Sequence, residues 1–93
     1  MVYTYVLLSE KDLEWYTGST RDLKTRVRQH AEGRVFSTAR RRPLKLIYYE
    51  ACMNPVDAFR RERFLKTGKG KRFLNNRLAE SLAGLRGQKL ERA

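Results

Sequence analysis

Hydrophobic residues open the chain in a short continuous run, Val2–Leu8, which is rich in β-branched and aromatic side chains. Because both alternating faces of this run are largely apolar, the pattern predicts a β-strand at the centre of a sheet. The polar stretch Ser9–Glu14 predicts a hairpin turn. Leu13–Gly18 then predicts the returning strand, with Gly18 ending it.

Helical spacing of apolar residues follows the hairpin. Asp22 is placed to cap a helix whose apolar residues recur every three or four positions as far as Gly33. The basic segment Arg34–Pro43 predicts a loop, and the apolar, β-rich segment Leu44–Ala51 predicts a third strand.

A second helix is predicted to open at Asn54-Pro55, because proline is favoured in the first turn of a helix. Its apolar period runs to Lys66, where Thr67–Gly70 interrupts it. The segment Lys71–Leu85 predicts a further helix, and the residues from Gly87 onward predict a frayed tail.

The order of these elements, β-β-α-β-α-α, predicts an α+β fold. We expect a small three-stranded sheet, made of the N-terminal hairpin and the third strand, covered by helices. A chain of 93 residues has room for one small core. The sequence therefore predicts one domain over residues 1–83 and a C-terminal tail over residues 84–93.

The charge of the chain indicates a polyanionic partner. Lys and Arg number 21 against 10 Asp and Glu, for a net charge of +11. Such an excess destabilises a compact chain by self-repulsion unless a polyanion relieves it, so nucleic acid is the expected partner. A charge that only favours solubility, or a ribosome-associated protein, is the alternative interpretation.

Cys52 is the single cysteine, so no internal disulfide is possible, and no Cys/His cluster offers a zinc site. The apolar run at the start is too short for a signal peptide, and no segment approaches the length of a membrane span. We therefore expect a cytoplasmic protein with no membrane partner.

Five residues carry candidate catalytic chemistry: Tyr5, Tyr16, Arg26, His30 and Glu62. The two tyrosines lie on the two hairpin strands, where tyrosine is also a common packing residue. Arg26 and His30 lie one helical turn apart and can approach one ligand, although a buried histidine beside a solvated arginine is the alternative. Glu62 stands among arginines at the core edge of its helix. It either neutralises them in an ion-pair network or holds a metal ion.

A second group of candidates is expected to contact nucleic acid: Arg40, Arg41, Arg61, Lys66, Lys69, Lys71, Arg72 and Asn76. Four of these cations surround two glycines in Lys66–Arg72, which resembles a phosphate-binding loop before a helix N-terminus. The spacing is not that of a Walker A motif, so nucleotide hydrolysis is not expected.

Five short segments also follow one another in a recognisable order. Tyr3-Thr4-Tyr5 resembles a GIY signature that is degenerate at its glycine and isoleucine positions, and Tyr16-Thr17-Gly18 resembles a YIG signature. Asp22–His30 resembles a family helix that carries an arginine and a following histidine. Arg61–Lys66 resembles the family segment that contains a single glutamate. Asn75 or Asn76 resembles the asparagine near the end of the family domain. Together they resemble the GIY-YIG nuclease superfamily, in particular its small stand-alone bacterial members and the N-terminal nuclease domain of the excision-repair subunit UvrC.

The resemblance implies a role for each of the five catalytic candidates. Tyr16 would act as general base or orient the attacking water, and Tyr5 would support it by hydrogen bonding. Arg26 would stabilise charge in the transition state, and His30 would contact the nucleophile or the phosphate. Glu62 would hold one Mg²⁺ or Mn²⁺ ion at the leaving oxygen.

The function implied by the resemblance is a metal-dependent DNA endonuclease of repair or recombination that makes a single nick. No separate site-selecting module is expected, so the substrate would be recognised by its shape, such as a branch or a nick, or through a protein partner. RNA is kept as an alternative substrate. The alternative is a DNA- or RNA-binding module that keeps the fold with little or no turnover.

Overall fold

A computed structural model describes the backbone of residues 1–92 and the side chains of residues 1–85. Over these residues the chain forms the α+β fold that the sequence predicted, and the prediction of its class is confirmed. A 3₁₀ turn at Ala39–Arg41 precedes the third strand. The elements are β1 (Val2–Ser9), β2 (Trp15–Thr20), α1 (Leu23–Ala31), β3 (Leu44–Cys52), α2 (Pro55–Leu65), α3 (Gly68–Arg77) and α4 (Ala79–Arg92).

The strands form an antiparallel sheet in the order β2-β1-β3, so that β1 is central, as its two apolar faces predicted. Alternate side chains of a strand point to opposite faces, which places Tyr5 and Leu7 on one face and Thr4 and Val6 on the other. Helix α2 packs against the second face, where the Thr4 hydroxyl donates to the Ala58 carbonyl at 3.2 Å. The sheet therefore separates two sets of side chains.

Strand β2 covers Trp15–Thr20, so the predicted boundaries Leu13–Gly18 were wrong by two residues. Leu13 has a positive φ of 63° and belongs to the turn. Gly18 does not end the strand, because it lies opposite Tyr5 in the register. A Cβ at Gly18 would lie 2.6 Å from Tyr5 Oη, so the glycine makes room for the tyrosine side chain.

The core lies between the α2 side of the sheet and the helices that cover it. Val6, Leu65 and Leu74, from β1, α2 and α3, are buried against one another. Full burial of a leucine side chain contributes about 1.5–3 kcal/mol, so these contacts hold α2 and α3 on the sheet. The partly buried hydrophobic residues packed around them are Trp15, Ile47, Tyr48 and Leu78.

The predicted starts of the first two helices are confirmed. The Asp22 carboxylate accepts from the Thr25 amide, and the Asn54 side chain accepts from the Val56 amide. Each bond satisfies an amide that has no partner within its helix. Gly33 follows α1 with a φ of +77°, in the left-handed region that favours glycine after a helix.

The predicted single helix Lys71–Leu85 was wrong. Helix α3 begins earlier, because the Thr67 hydroxyl caps it and draws the glycine-rich segment into the first turn. It ends at Arg77, because the next residue, Leu78, leaves the helical region with a φ of −109° and a ψ of 22°, and α4 follows. A Cβ at Gly70 would overlap the Phe64 carbonyl oxygen, so this glycine allows α3 to pack closely against the end of α2.

The domain limit predicted at residue 83 falls within α4, whose backbone is helical through Arg92. The predicted tail 84–93 extends beyond the described residues, because the side chains from residue 86 and the whole of Ala93 lie outside them. In the part of the chain that the structure describes, no helix combines the length and the apolar character needed to cross a membrane.

Candidate active site at the edge of the sheet

A buried chain of hydrogen bonds starts at the central strand. The Tyr5 hydroxyl lies 2.8 Å from His30 Nε2, and His30 Nδ1 lies 2.6 Å from the Thr38 hydroxyl. Tyr5 is 1% exposed, and His30 and Thr38 are 0% exposed. These bonds join β1, α1 and the loop before β3 at one point in the interior.

The direction of these hydrogen bonds follows from their outer partner. The Thr38 hydroxyl donates to the Val35 carbonyl at 3.5 Å, so its oxygen accepts from His30 Nδ1, and His30 Nε2 accepts from Tyr5. Burial, with the charge of Arg26, lowers the pKa of His30 to about 4, so the imidazole is neutral at neutral pH. Burial also raises the pKa of the Tyr5 phenol, which keeps this hydroxyl protonated.

Tyr16 and Arg26 lie beside this chain of hydrogen bonds. Tyr16 is half-buried on β2, and its ring centroid lies 6.4 Å from that of Tyr5 and 5.1 Å from that of His30. Burial is the main reason why the pKa of Tyr5 is raised; Arg26 opposes this rise by hydrogen bonding and charge, whereas Tyr16 and Glu62 reinforce it. All three groups are therefore within electrostatic reach of one phenol.

Glu62 approaches the same edge of the sheet from the other face. Its helix, α2, packs on the face that carries Ser19, whereas Tyr16 points to the opposite face. The Ser19 hydroxyl donates to Glu62 Oε1 at 2.6 Å, and Lys66 Nζ donates to Oε2 at 2.9 Å. The edge strand β2 therefore lies between the two tyrosines and the carboxylate.

Glu62 is also the candidate for holding a metal ion. Among the described side chains, no group of three or more His, Cys, Asp or Glu residues gathers in one place, so a metal site here would have few protein ligands. Magnesium accepts such a site, since water and phosphate oxygens fill its other positions. The side chain of Lys66 is 54% exposed and can withdraw into solvent, which would free Oε2 for a cation. The residues present therefore fit a single Mg²⁺ or Mn²⁺ ion.

Two residues outside the predicted set complete the site. Ser19 orients Glu62, and Thr38 orients His30. Ser19 directly follows Tyr16–Gly18, so a search for hydroxyl groups beside that motif could have found it. Thr38 lies in the basic loop before β3, where nothing in the sequence indicates that its hydroxyl is buried.

Arg61, a predicted nucleic-acid contact, has partners within the protein. It forms a 2.8 Å ion pair with Glu50, which raises the pKa of the guanidinium. The same guanidinium lies 5.2 Å from the ring centroid of Phe64 and 4.7 Å from that of Phe73. These contacts join α2 to β3 and α3, so Arg61 stabilises packing at this position.

Two more predicted contacts form ion pairs, Arg41 with Asp12 at 2.8 Å and Lys66 with Glu62 at 2.9 Å. Asp12 belongs to the hairpin turn, so Arg41 ties the loop before β3 to that turn. The side chains of the remaining predicted contacts are exposed, most of them on α3. They are Arg40, Lys69, Lys71, Arg72 and Asn76.

Comparison with known proteins identifies relatives that cover most of the chain. The family model of the GIY-YIG catalytic domain matches residues 1–78. The UPF0213 protein in the ldhD 5′ region of Pediococcus acidilactici is 43% identical over 67 residues, which are 69% of this chain and 67% of that protein. UPF0213 protein BH0048 of Halalkalibacterium halodurans is 35% identical over 86 residues, which are 91% of this chain and 84% of that protein.

The fold is also similar to a solved structure. The solution NMR structure of the UPF0213 protein BH0048 from Bacillus halodurans matches with a TM-score of 0.51 and 34% sequence identity. The match covers 82% of this chain and 84% of that chain. The family match over residues 1–78, the relatives and the fold agree with the resemblance expected from the sequence. The chain belongs to the GIY-YIG family of nucleases.

Proposed function

We propose that this domain is a metal-dependent endonuclease that hydrolyses one phosphodiester bond of DNA at each encounter. The observation that carries the proposal is the arrangement around strand β2: the Tyr16 ring centroid lies 6.4 Å from that of Tyr5 on one face, and Ser19 holds Glu62 Oε1 at 2.6 Å on the other. Arg26 lies within hydrogen-bonding reach of the Tyr5 hydroxyl. Phosphodiester hydrolysis needs a group that handles the proton of water and a cation that stabilises the transition state. This edge of the sheet offers both, with a carboxylate beside them.

In the proposed reaction, water attacks phosphorus in line with the leaving ester oxygen. The bond from phosphorus to that oxygen breaks, and the leaving oxygen takes up a proton. Tyr16 orients the water or, as the phenolate, accepts its proton, because it is the more exposed of the two tyrosines. Arg26 stabilises the charge that develops on the phosphoryl oxygens, which a planar guanidinium can contact at two points.

His30 acts in this proposal through Tyr5 and not on the phosphate. Its side chain is fully buried, and both ring nitrogens already have hydrogen-bond partners. We therefore assign it a positioning role in place of the contact with nucleophile or phosphate that the resemblance implied. The neutral imidazole holds the Tyr5 hydroxyl, and the Tyr5 and His30 rings pack against the Tyr16 ring.

Glu62 would hold the Mg²⁺ or Mn²⁺ ion, which when bound supplies positive charge at the leaving oxygen. Ser19 keeps the carboxylate in place for this task, because hydrogen bonds from outer residues orient metal ligands. Once Lys66 leaves Glu62, its ammonium group is available to a DNA phosphate.

The exposed cations of α3 and of the loop before β3 would bind the DNA backbone. These contacts attract phosphate without distinguishing the bases, so the substrate would be chosen by its shape. Flapped, branched and nicked DNA fit this expectation. Such DNA forms during repair and recombination in the cytoplasm. A targeting protein would add to this selection but is not required for it. Besides Lys66, the proposed phosphate contacts are Arg40, Lys69, Lys71 and Arg72.

The test is a nicking assay on flapped, branched and nicked DNA, with structured RNA in parallel, over a range of Mg²⁺ and Mn²⁺ concentrations. Glu62→Gln and Tyr16→Phe are expected to lower the rate about a hundredfold or more, as removal of transition-state contacts commonly does. Two matched controls carry the same changes at exposed positions, Glu80→Gln on α4 and Tyr49→Phe on β3. Both controls are expected to cut at the wild-type rate.

Equal cleavage by wild type and Glu62→Gln would indicate a contaminating nuclease and contradict the proposal. Tight binding of DNA or RNA without metal-dependent cleavage would instead favour a binding module on the same fold. Faster cleavage of RNA than of any DNA would assign the activity to the other nucleic acid.

A further inference from the structure

Phe36 is a hydrophobic side chain that stands almost entirely in water. It is 98% exposed and lies in the turn Val35–Thr38, which the Thr38 amide closes by donating to the Val35 carbonyl at 3.1 Å. Val35 and Thr38 are buried, at 7% and 0% exposed. The turn is therefore held to the protein on both sides of Phe36, and the phenyl ring takes no part in the core.

Arginine residues flank Phe36 in the sequence, and one of them, Arg34, pairs with Glu32 at 3.4 Å. The side chain of Arg34 is 71% exposed, and Arg40 and Arg42 are exposed as well. A protein partner that buried Phe36 here would have to be strongly acidic to offset these charges. Nucleic acid offers an anionic backbone together with flat base surfaces on which an aromatic ring can stack. The charge and the aromatic ring together favour nucleic acid.

The turn is also linked to the candidate active site. Thr38, two residues after Phe36, hydrogen-bonds His30, and His30 hydrogen-bonds Tyr5. All three of these residues are buried. A base that stacked on Phe36 would therefore be held at a fixed position relative to the two tyrosines.

We propose that Phe36 stacks on an unpaired or partly unstacked base beside the scissile phosphate. The bases of an intact duplex are covered by their neighbours, whereas a base at a flap, a branch or a gap presents a free face to the ring. DNA with such a base is then the substrate class, and the flanking arginines bind its phosphates. This inference rests on the proposed function, since it takes DNA as the substrate.

Binding measured in EDTA tests the inference without cleavage. Phe36→Ala is expected to weaken binding to flapped DNA about tenfold, as loss of one base–aromatic stack would. Its binding to intact duplex is expected to change less than about twofold, because the phosphate contacts remain. The matched control Phe59→Ala removes another exposed phenylalanine, on α2, and is expected to leave both affinities unchanged.

Phe36→Trp provides a direct optical readout of stacking. Flapped DNA is expected to quench the emission of this tryptophan, and intact duplex is not. Phe59→Trp carries the same native Trp15 and measures the quenching that Trp15 alone contributes; quenching beyond that amount is expected only for Phe36→Trp with flapped DNA.

Unchanged affinity of Phe36→Ala for flapped DNA, or an equal loss on flapped and intact DNA, would overturn the inference. Unchanged affinity would leave an acidic protein as the occupant of the turn, and an equal loss would make Phe36 a general DNA contact. Since the assay contains no free metal ion, selective binding through Phe36 without any cleavage under the nicking conditions would refute the proposed function alone. Cleavage by Phe36→Ala with unchanged binding would refute this inference alone.

Discussion

The Tyr5 hydroxyl donates to His30 Nε2 at 2.8 Å, at a place where neither side chain reaches solvent. Removal of either partner leaves a buried polar group without its bond, which costs about 1–3 kcal/mol. We therefore expect Tyr5→Phe to lower the free energy of unfolding by that amount in urea denaturation. Tyr49→Phe removes an exposed hydroxyl and should change it by less than about 0.5 kcal/mol. If the losses of unfolding free energy in Tyr5→Phe and His30→Gln simply add in the double variant, the two side chains do not stabilise each other and the hydrogen bond is contradicted.

Acid is expected to destabilise the protein through His30. The pKa of this side chain is 6.5 in an unfolded chain and about 4 in the folded protein, so the unfolded state binds more protons between these values. The stabilisation is complete above pH 6.5 and is lost as the pH falls toward 4; its size is on the order of 3 kcal/mol. Urea denaturation across this range measures it, and His30→Gln should flatten the curve.

Asp12 provides a comparison within the same titration. Hydrogen bonding to Arg41 lowers the pKa of Asp12 to about 2 from 3.8, so its contribution is lost only as the pH falls between these values. Arg41→Gln should reduce the lower transition, because hydrogen bonds from the Glu14 amide and Ser9 remain, and should leave that of His30 unchanged. A wild-type curve without slope between pH 6.5 and 4 would contradict a buried, neutral His30.

Gly18→Ala is expected to destabilise the sheet. The new Cβ would lie 2.6 Å from Tyr5 Oη and 2.8 Å from Tyr5 Cζ, and overpacking of this kind costs about 1–3 kcal/mol. Gly68→Ala is the matched control, because no atom lies within 4 Å of the Cβ it would add. Since alanine is the better helix former, Gly68→Ala should leave the Tm unchanged or raise it. An unchanged Tm for Gly18→Ala would disprove the close approach of Tyr5.

Ser19→Ala is expected to weaken metal binding at Glu62. The Ser19 hydroxyl donates to Glu62 Oε1 at 2.6 Å, and loss of such an outer hydrogen bond lowers metal affinity about tenfold or more. Titration of Mn²⁺ followed by electron paramagnetic resonance measures this without reference to activity. Ser81→Ala, at an exposed position of α4, should bind Mn²⁺ as the wild type does. The same affinity in Ser19→Ala and wild type would refute this role.

We expect Arg61 to contribute to the stability of the fold and Arg72 to contribute to DNA binding. Arg61→Ala should lower the free energy of unfolding by about 1 kcal/mol, because its ion pair and ring contacts are partly exposed. It should leave the salt dependence of DNA binding unchanged. Arg72→Ala should reduce the slope of log K against log salt by about 0.9, with no effect on stability. The opposite pattern would show that Arg61 is the phosphate contact.

The sequence by itself determined the class of fold and the order of most elements. These depend on local patterns: the apolar faces of Val2–Leu8 define a central strand, and the caps at Asp22 and Asn54 define where two helices begin. The family could also be inferred from the sequence, because Tyr16 and Glu62 lie in short motifs whose order along the chain is distinctive.

The tertiary structure decided everything that depends on contacts between distant segments. Gly18 is typical of a strand end and Gly70 of a loop, yet the first lies within β2 and the second within α3. Each is needed because another segment passes too close for a Cβ. Local propensity contains no information on such neighbours, so the boundaries of β2 and α3 could not be predicted.

The tertiary structure also decided how the site residues are used. In the sequence, His30 was a candidate for contact with the phosphate, and Thr38 had no assigned role. In the structure both side chains are buried and hydrogen-bonded to each other, and burial keeps the His30 imidazole neutral. Desolvation and hydrogen bonding depend on which groups meet in space, so the sequence determines the chemical groups available and the fold alone determines their charge, partners and exposure.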